Sequence, residues 1–353
     1  MRIAQTRFRN FRNLENTLID WGPGLNVLTG ANAAGKTNVL EALHILTGWG
    51  TFAGSRLSDT VQWDSAGGAS LAAQVSGERE AVIDLTIRMR ASLHLDGKIC
   101  RWGDLRSCVQ SLAFLPSDMA LLEGSPAVRR RFLDVLCALY FPLYAFKLGE
   151  YRKITQTRRY LLSIGHSVQV TQNTMASLAA WIWECRLEVT ESLKSSLENW
   201  HDLLPADLSI ALHRGGSAGL SDLLQDFSRA CEMTAERERA AKTPLVGPHR
   251  DDLILTCGPR PAAASLSRGQ RRRSALALIM AAATSVQKRY RQTPVLLFDE
   301  VTSELDDEGR KVLMNCLDRS GWQVFAATAE NPLPLFHGTL WRLEKGRISK
   351  IEN

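Results

Sequence analysis
The sequence predicts an α/β fold in which both chain ends build one domain and a mainly helical segment interrupts it. Three observations support this. Residues 1–116 are rich in short apolar runs that suit strands, residues 125–242 show long helical periodicity, and from 243 to 353 short apolar runs alternate with helix again. Two ends that share a texture, around a middle that differs, mark an insertion in an α/β domain. The expected divisions are 1–124, 125–242 and 243–353.

"LNVLT" (25–29) is an apolar run that ends at a glycine turn, as a buried strand does. "AVIDLTIRM" (81–89) is strand-like in its β-branched content, and "HLDGKIC" (94–100) carries the Asp96-Gly97 signal of a tight hairpin. "SLAFLP" (111–116) is a further strand closed by proline. Ser125 and Pro126 occupy the N-cap and first-turn positions of a helix. In "SLAAWIWECRLEVTESLKSSLENW" (177–200), Trp181, Cys185, Val189 and Leu193 recur every four residues along one helix face. Trp183, Leu187, Leu197 and Trp200 widen that stripe, and its tryptophans are expected to pack in a core rather than to stack on bases. Beyond the insertion, "DLILTC", "PVLLFD" and "WQVFAAT" read as strands and "SALALIMAAATSVQKRY" (274–290) as a helix.

With 45% hydrophobic and 23% charged residues among 353, the chain has the composition of an ordinary globular protein. A net charge of +6 admits an anionic partner without demanding one. The seven cysteines are scattered with no Cys-x-x-Cys pair, which argues against a disulfide framework or a zinc site. "ALALIMAAA" (275–283) is the longest apolar stretch and is too short to span a bilayer. A cytoplasmic protein with no membrane partner is expected.

"GANAAGKTNVLEAL" follows a predicted strand, opens a predicted helix and matches G-x-x-x-x-G-K-[ST]. Residues Gly30, Ala31, Asn32, Ala33, Ala34, Gly35, Lys36 and Thr37 would wrap the phosphates of ATP. Gly30 and Gly35 let the backbone close, Lys36 bridges the β- and γ-phosphates, and the Thr37 hydroxyl can ligate Mg²⁺. The matching carboxylates stand at the end of the apolar strand "TPVLLFDE" (293–300): Asp299 for the magnesium shell, Glu300 to orient or deprotonate the attacking water. No N-K-x-D guanine motif is present, and "HRDD" (249–252) lacks the companion residues of a protein-kinase loop, so neither of those classes fits.

"LSRGQRRRSALAL" (266–278) is a second stretch that reads as a phosphate-binding turn feeding a helix. One chain cannot readily apply two helix starts to one γ-phosphate, but two chains can. In a head-to-tail pair, Ser267, Arg268, Gly269 and Gln270 would contact the partner's nucleotide, making ATP the adhesive of a homodimer.

That is the arrangement of ABC-type ATPases, and the chain resembles the RecF family among them from end to end. The resemblance rests on "FRNFRNLENTLIDWGPGLNVLTGANAAGKTNVLEALHILT", "GSPAVRRRFLD" (124–134), "LVGPHRDDL" (245–253), "LSRGQ" and "LLFDEVTSELD" (296–306). It implies an ABC-type (Rad50-like) P-loop ATPase head with a helical arm, and it places Ser303 and Asp306 in the loop that couples two composite sites. It also implies ATP and Mg²⁺ as cofactors, double-stranded and gapped or single-stranded DNA as partners, and RecR and RecO as collaborators. The implied role is ATP-driven dimerisation on DNA that helps load recombinase in repair and replication restart, with weak DNA-dependent hydrolysis for release. Some positions depart from the pattern. Ala33 stands where the family has glycine, at a cost of roughly 1–2 kcal/mol if the backbone there is left-handed. Asp299-Glu300 replaces Asp-Asp, "FLPSD" (114–118) alters the γ-phosphate-sensing loop, and Ala329 and Glu330 stand where a switch histidine would be, which implies slow hydrolysis.

The basic clusters Arg129-Arg130-Arg131 and Arg271-Arg272-Arg273 are the expected DNA-phosphate contacts, with Arg158-Arg159 and "QKRYR" (287–291) as further clusters. Cations so near the start of a helix oppose its dipole, so helix stability does not explain Arg129 to Arg131. Two other readings are an SMC-like chromosome-organising ATPase, which needs longer coiled-coil heptads than this segment supplies, and a transporter ATPase subunit, which needs the switch histidine.

Overall fold
The computed structural model describes residues 1–351 except 53, 64, 66, 205, 301–304, 306 and 329–337. Ser303, Asp306, Ala329 and Glu330 therefore lie outside the described residues. The chain forms two compact units, Met1–Asp118 with Ala283–Asn353, and Met119–Ala282.

The first unit begins with β1 (Arg2–Arg9), β2 (Thr17–Asp20), β3 (Leu25–Thr29), α1 (Lys36–Leu46), β4 (Ala69–Ser76), β5 (Ala81–Ile87), β6 (Ala91–Leu95), β7 (Lys98–Ile99), α2 (Trp102–Cys108) and β8 (Ser111–Phe114). The second holds α3 (Pro126–Tyr140), α4 (Tyr144–Ser163), α5 (Gln169–Leu197), β9 (Leu208–His213), α6 (Leu223–Ala241), β10 (Asp252–Cys257), β11 (Arg260–Pro261), α7 (Ala262–Ser265) and most of α8 (Arg268–Tyr290). The first unit resumes with β12 (Val295–Phe298), α9 (Asp307–Ser320), β13 (Val324–Thr328), β14 (Thr339–Glu344) and β15 (Arg347–Ile351).

Two six-stranded sheets build the first unit. One is antiparallel, in the order β2-β1-β4-β5-β6-β7. Its strands alternate buried and exposed residues, as expected of a sheet with one face on a core. The β6–β7 turn places Asp96 and Gly97 at φ 52° and 74°, the paired positive values that this hairpin signal predicts. The other sheet runs β15-β14-β3-β13-β12-β8, parallel throughout except for the β14–β15 hairpin. β12 and β13 are buried at every position, the pattern of strands covered on both faces. β3 lies between β13 and β14, so an N-terminal strand is held by two C-terminal ones.

The second unit is helical around a three-stranded sheet, β11-β10-β9. β9 falls in the segment whose periodicity reads as mostly helical, and its register with β10 draws residues 252–257 into this unit. Residues 119–124 and 243–282, assigned by texture to the α/β part, thus group with the arm. Along α5, Trp183, Cys185, Val189, Leu193 and Leu197 are buried, while Leu187 is exposed. The tryptophans pack: the Trp183 ring meets Phe227, and the Lys147 ammonium lies over the Trp181 ring.

This unit encloses a polar core that the hydrophobic stripe concealed. The Arg186 guanidinium donates to Asp251 Oδ2 at 2.6 Å, to the Pro248 carbonyl at 2.7 Å and to Asp134 Oδ1 at 2.8 Å. Trp183 Nε1 and the Gly215 amide donate to Asp251 Oδ1. Burial works against the Arg186 charge, and Tyr144, Asp134 and Asp251 more than offset it, so the group is held protonated. "HRDD" is therefore a structural hub, with Asp251 at its centre.

Candidate nucleotide site
β3 delivers the chain into the 30–37 loop, and α1 begins at Lys36. Gly30 is required because a Cβ there would sit on the Leu343 carbonyl oxygen of β14. Gly35, at φ 114°, is in a region closed to other residues. Ala33 adopts φ 62°, so the strain anticipated at this position is present.

A residue that sequence reasoning did not assign clasps this loop. Asn13 Nδ2 donates to the Ala33 carbonyl at 3.1 Å, and Asn13 Oδ1 accepts from Asn38 Nδ2 at 2.8 Å. The Gly346 amide, in the β14–β15 turn, donates to the Ala34 carbonyl at 2.9 Å. The only trace of Asn13 in the sequence is its place in "FRNFRN", which no periodicity rule connects to residue 33. Its neighbour Arg12 forms a two-pronged pair with the buried Glu41 of α1.

Lys36 is buried, and its Nζ donates to the carbonyls of Gly30 at 2.7 Å and Ala31 at 3.0 Å. Burial lowers its pKa, against the pull of Asp299 and Glu300. Thr37 Oγ1 donates to Asp299 Oδ2 at 2.9 Å across 262 residues of sequence, joining the two halves of the motif. Asp299 is 6% exposed, and among the described residues its Oδ1 has no hydrogen-bond partner. Burial pushes this carboxyl up from the usual range, Glu300 adds to the shift, and the Thr37 hydrogen bond opposes it. Glu300 is exposed, at φ 49°. The Asp299 amide donates to the Phe114 carbonyl, which brings the start of "FLPSD" beside the acid pair.

In the second unit, Ser267, Arg268 and Gly269 are exposed at the start of α8, and Gln270 is half-buried. The Ser267 amide donates to Gln270 Oε1 and the Gln270 amide to Ser267 Oγ, a reciprocal cap that the S-x-x-Q spacing encodes. A Cβ on Gly269 would meet nothing within 4 Å, so no contact among the described residues requires glycine there.

The arginines singled out as candidate DNA contacts are mostly engaged inside the fold. Arg129 pairs with both oxygens of Asp252, at 2.7 and 2.9 Å, and donates to the Gly124 carbonyl. Arg130 donates to the Asp251 carbonyl, Arg271 pairs with Glu123, Arg272 is 5% exposed, and Arg273 donates to the Asp202 carbonyl. Arg158 is buried against Glu238. Arg131 alone of the six is exposed.

Among the described residues no cluster of histidine, cysteine and carboxylate could hold a metal by itself, and no helix is long and apolar enough to cross a membrane.

The comparisons with known proteins agree with this geometry. The model of the RecF/RecN/SMC N terminal domain matches residues 2–341. The DNA replication and repair protein RecF of Heliobacterium modesticaldum is 29% identical over 374 residues, covering 99% of each chain. That of Halalkalibacterium halodurans is 29% identical over 380 residues, covering 99% of this chain and 100% of the relative. The solved structure of the recombination mediator protein RecF-ATPrS in the RecFOR pathway is 24% identical and superposes with a TM-score of 0.89, covering 99% of this chain and 98% of that one. An SMC head bound to the C-winged helix domain of ScpA shares the fold at a TM-score of 0.60 and 16% identity, covering 99% of this chain and 96% of that one. A strand-held phosphate loop joined to its acid pair, similar over the full length to RecF proteins, places the chain in the RecF/RecN/SMC N-terminal domain family.

Proposed function
We propose that the protein is a RecF-type, ATP-driven switch on DNA, which dimerises around nucleotide in recombinational repair and replication restart. The carrying observation is the exposed signature at Ser267–Gly269, with no contact among the described residues that would explain its glycine, in a chain whose phosphate loop is complete. In a head-to-tail dimer each signature caps the partner's ATP. Lys36 holds the phosphates, and the helix dipole of α8 favours the γ-phosphate across the interface. Glu300, at the rim of the acid pair, orients the attacking water; hydrolysis is slow and serves release.

Thr37 and Asp299 fit the Mg²⁺ that accompanies ATP. The buried Asp299 Oδ1, without a partner among the described residues, is a ligand oxygen in position, and Oδ2 is fixed by Thr37. When bound, Mg²⁺ supplies positive charge to the β- and γ-phosphate oxygens. DNA is the partner that the replication and repair role of the similar RecF proteins suggests, in double-stranded and gapped form on the switch reading, with RecR and RecO as collaborators in the RecFOR pathway. Seven cysteines without a disulfide suit a cytoplasmic setting.

The test is Ser267→Arg, which leaves Lys36, Thr37 and Asp299 of the same chain untouched. It should bind ATP with near-parent affinity and fail to dimerise, measured by calorimetry and sizing. Mixed with Lys36→Met, it should regain part of the ATP-dependent association, because one composite site is then whole. Loss of ATP binding by Ser267→Arg as a monomer, or normal dimers from it, would overturn the reading.

A further inference from the structure
One end of the antiparallel sheet of the first unit is chemically unlike the rest of its surface. β5 and β6 are joined by Arg88-Met89-Arg90, with Met89 101% exposed. Gly68 packs beside Arg88, where a Cβ would come within 2.9 Å of Arg88 Cγ, and its carbonyl accepts from Asn10 Nδ2 at 3.2 Å. The Gln62 amide donates to the Asn10 carbonyl at 2.8 Å, which brings Trp63 to the same end with 90% of its surface exposed. Arg9 completes the set as the last residue of β1. Among the described residues, the side chains of Arg9, Arg88 and Arg90 make no ion pair or hydrogen bond, whereas Arg79, on the β4–β5 turn, is paired with Asp96. Asp64, next to Trp63 in sequence, lies outside the described residues.

An isolated exposed apolar side chain is ordinary on a protein surface. A methionine and a tryptophan standing out among three unpaired arginines are not accounted for by packing or by an internal pair. Their chemistry is that of a polyanion with flat apolar faces, and phosphates and bases answer to it together. In an intact duplex the bases are stacked on one another, so the indole finds a free face only where a strand is unpaired.

We infer that this tip, made of Arg9, Trp63, Arg88, Met89 and Arg90, is a DNA-contacting surface. Its arginines track phosphates, and Trp63 with Met89 takes an unpaired base at a duplex–single-strand junction. The inference rests on the DNA-switch reading above and names the surface through which that switch touches DNA.

The experiment uses the ATP-loaded full chain, with a fluorescent duplex and the same duplex carrying a single-stranded gap, by anisotropy over a salt series. Arg88→Ala/Arg90→Ala should weaken binding to both DNAs and flatten the slope of log affinity against log salt by about two. Arg88→Lys/Arg90→Lys should keep the parent slope. Trp63→Ala should leave intact-duplex affinity unchanged and weaken gapped-DNA binding by roughly tenfold. All variants should bind ATP like the parent, which confirms their fold. Parent affinity and slope in the double-alanine variant overturn the surface, as does a Trp63→Ala loss that is equal on both DNAs or absent from both. Loss of binding to phosphatidylglycerol vesicles with DNA binding intact would reassign the tip to a membrane. A parent chain that binds no DNA at all would instead overturn the switch reading itself.

Discussion
Ala33 is the residue at which local chemistry and function conflict most openly. Its backbone is left-handed, a conformation that costs a side-chain-bearing residue roughly 1–2 kcal/mol, and Asn13 and Gly346 hold the carbonyls of Ala33 and Ala34. Ala33→Gly should therefore stabilise the protein, by about 0.5–1 kcal/mol after the greater freedom of glycine in the unfolded chain is subtracted. Urea midpoints of parent and variant measure it, and an unchanged or lower midpoint would show that the clasp relieves the strain. At this scale the sequence was most legible where spacing is local. Gly30, Gly35, Lys36 and Thr37 declare themselves within eight residues. Asn13 does not, because its bond to Ala33 spans 20 residues and follows no repeat.

Among elements, α5 shows what a hydrophobic stripe reveals and what it hides. Its buried face was readable from four-residue spacing, yet Arg186 occupies that face too, neutralised by Asp134 and Asp251, 52 and 65 residues away. The same blindness made Arg129 and Arg158 look like surface cations, since Asp252 lies 123 residues away and Glu238 lies 80. Removing the hub cation leaves two carboxylates poorly compensated, so Arg186→Met should destabilise by about 3–5 kcal/mol, read from urea unfolding of the full chain. A loss below about 1 kcal/mol would mean that water or a neighbouring cation replaces it.

His249 gives the same unit a pH dependence. Its Nδ1 lies 2.8 Å from the Tyr151 hydroxyl and its Nε2 lies 3.2 Å from the Pro244 carbonyl, an arrangement that the neutral ring satisfies by accepting at one nitrogen and donating at the other. Burial lowers its pKa to about 4; Pro244 opposes this, and Arg250, Arg159 and Arg130 reinforce it. Below the ordinary histidine value near 6.5 the unfolded chain takes up a proton that the folded chain refuses. The stability tied to His249 is thus complete above pH ~6.5 and is lost as the pH falls towards ~4, by about 3 kcal/mol. His249→Gln should lose less stability than the parent across that window in urea titrations at each pH. Parallel curves would place the ring's pKa near its ordinary value.

For the whole molecule, the sequence disclosed that both ends build one α/β unit, because a turn, a strand end and a helix start each leave a local mark. It did not disclose where the units divide. β9 is a short strand amid helices, and its pairing with β10 is non-local, so texture alone assigned residues 252–257 to the other side. The central place of β3 bears on how the protein is made. Its partners β13 and β14 are translated long after it, and Thr29 bonds the Trp341 carbonyl, 312 residues further on. A growing chain on the ribosome carries the complete phosphate-binding motif early, but lacks the strands that fix it until those distant segments have been made. Joining such distant segments is entropically costly and slow. Until then β3 has two open edges to be shielded from other nascent chains, and the grip on nucleotide waits on that distant pairing.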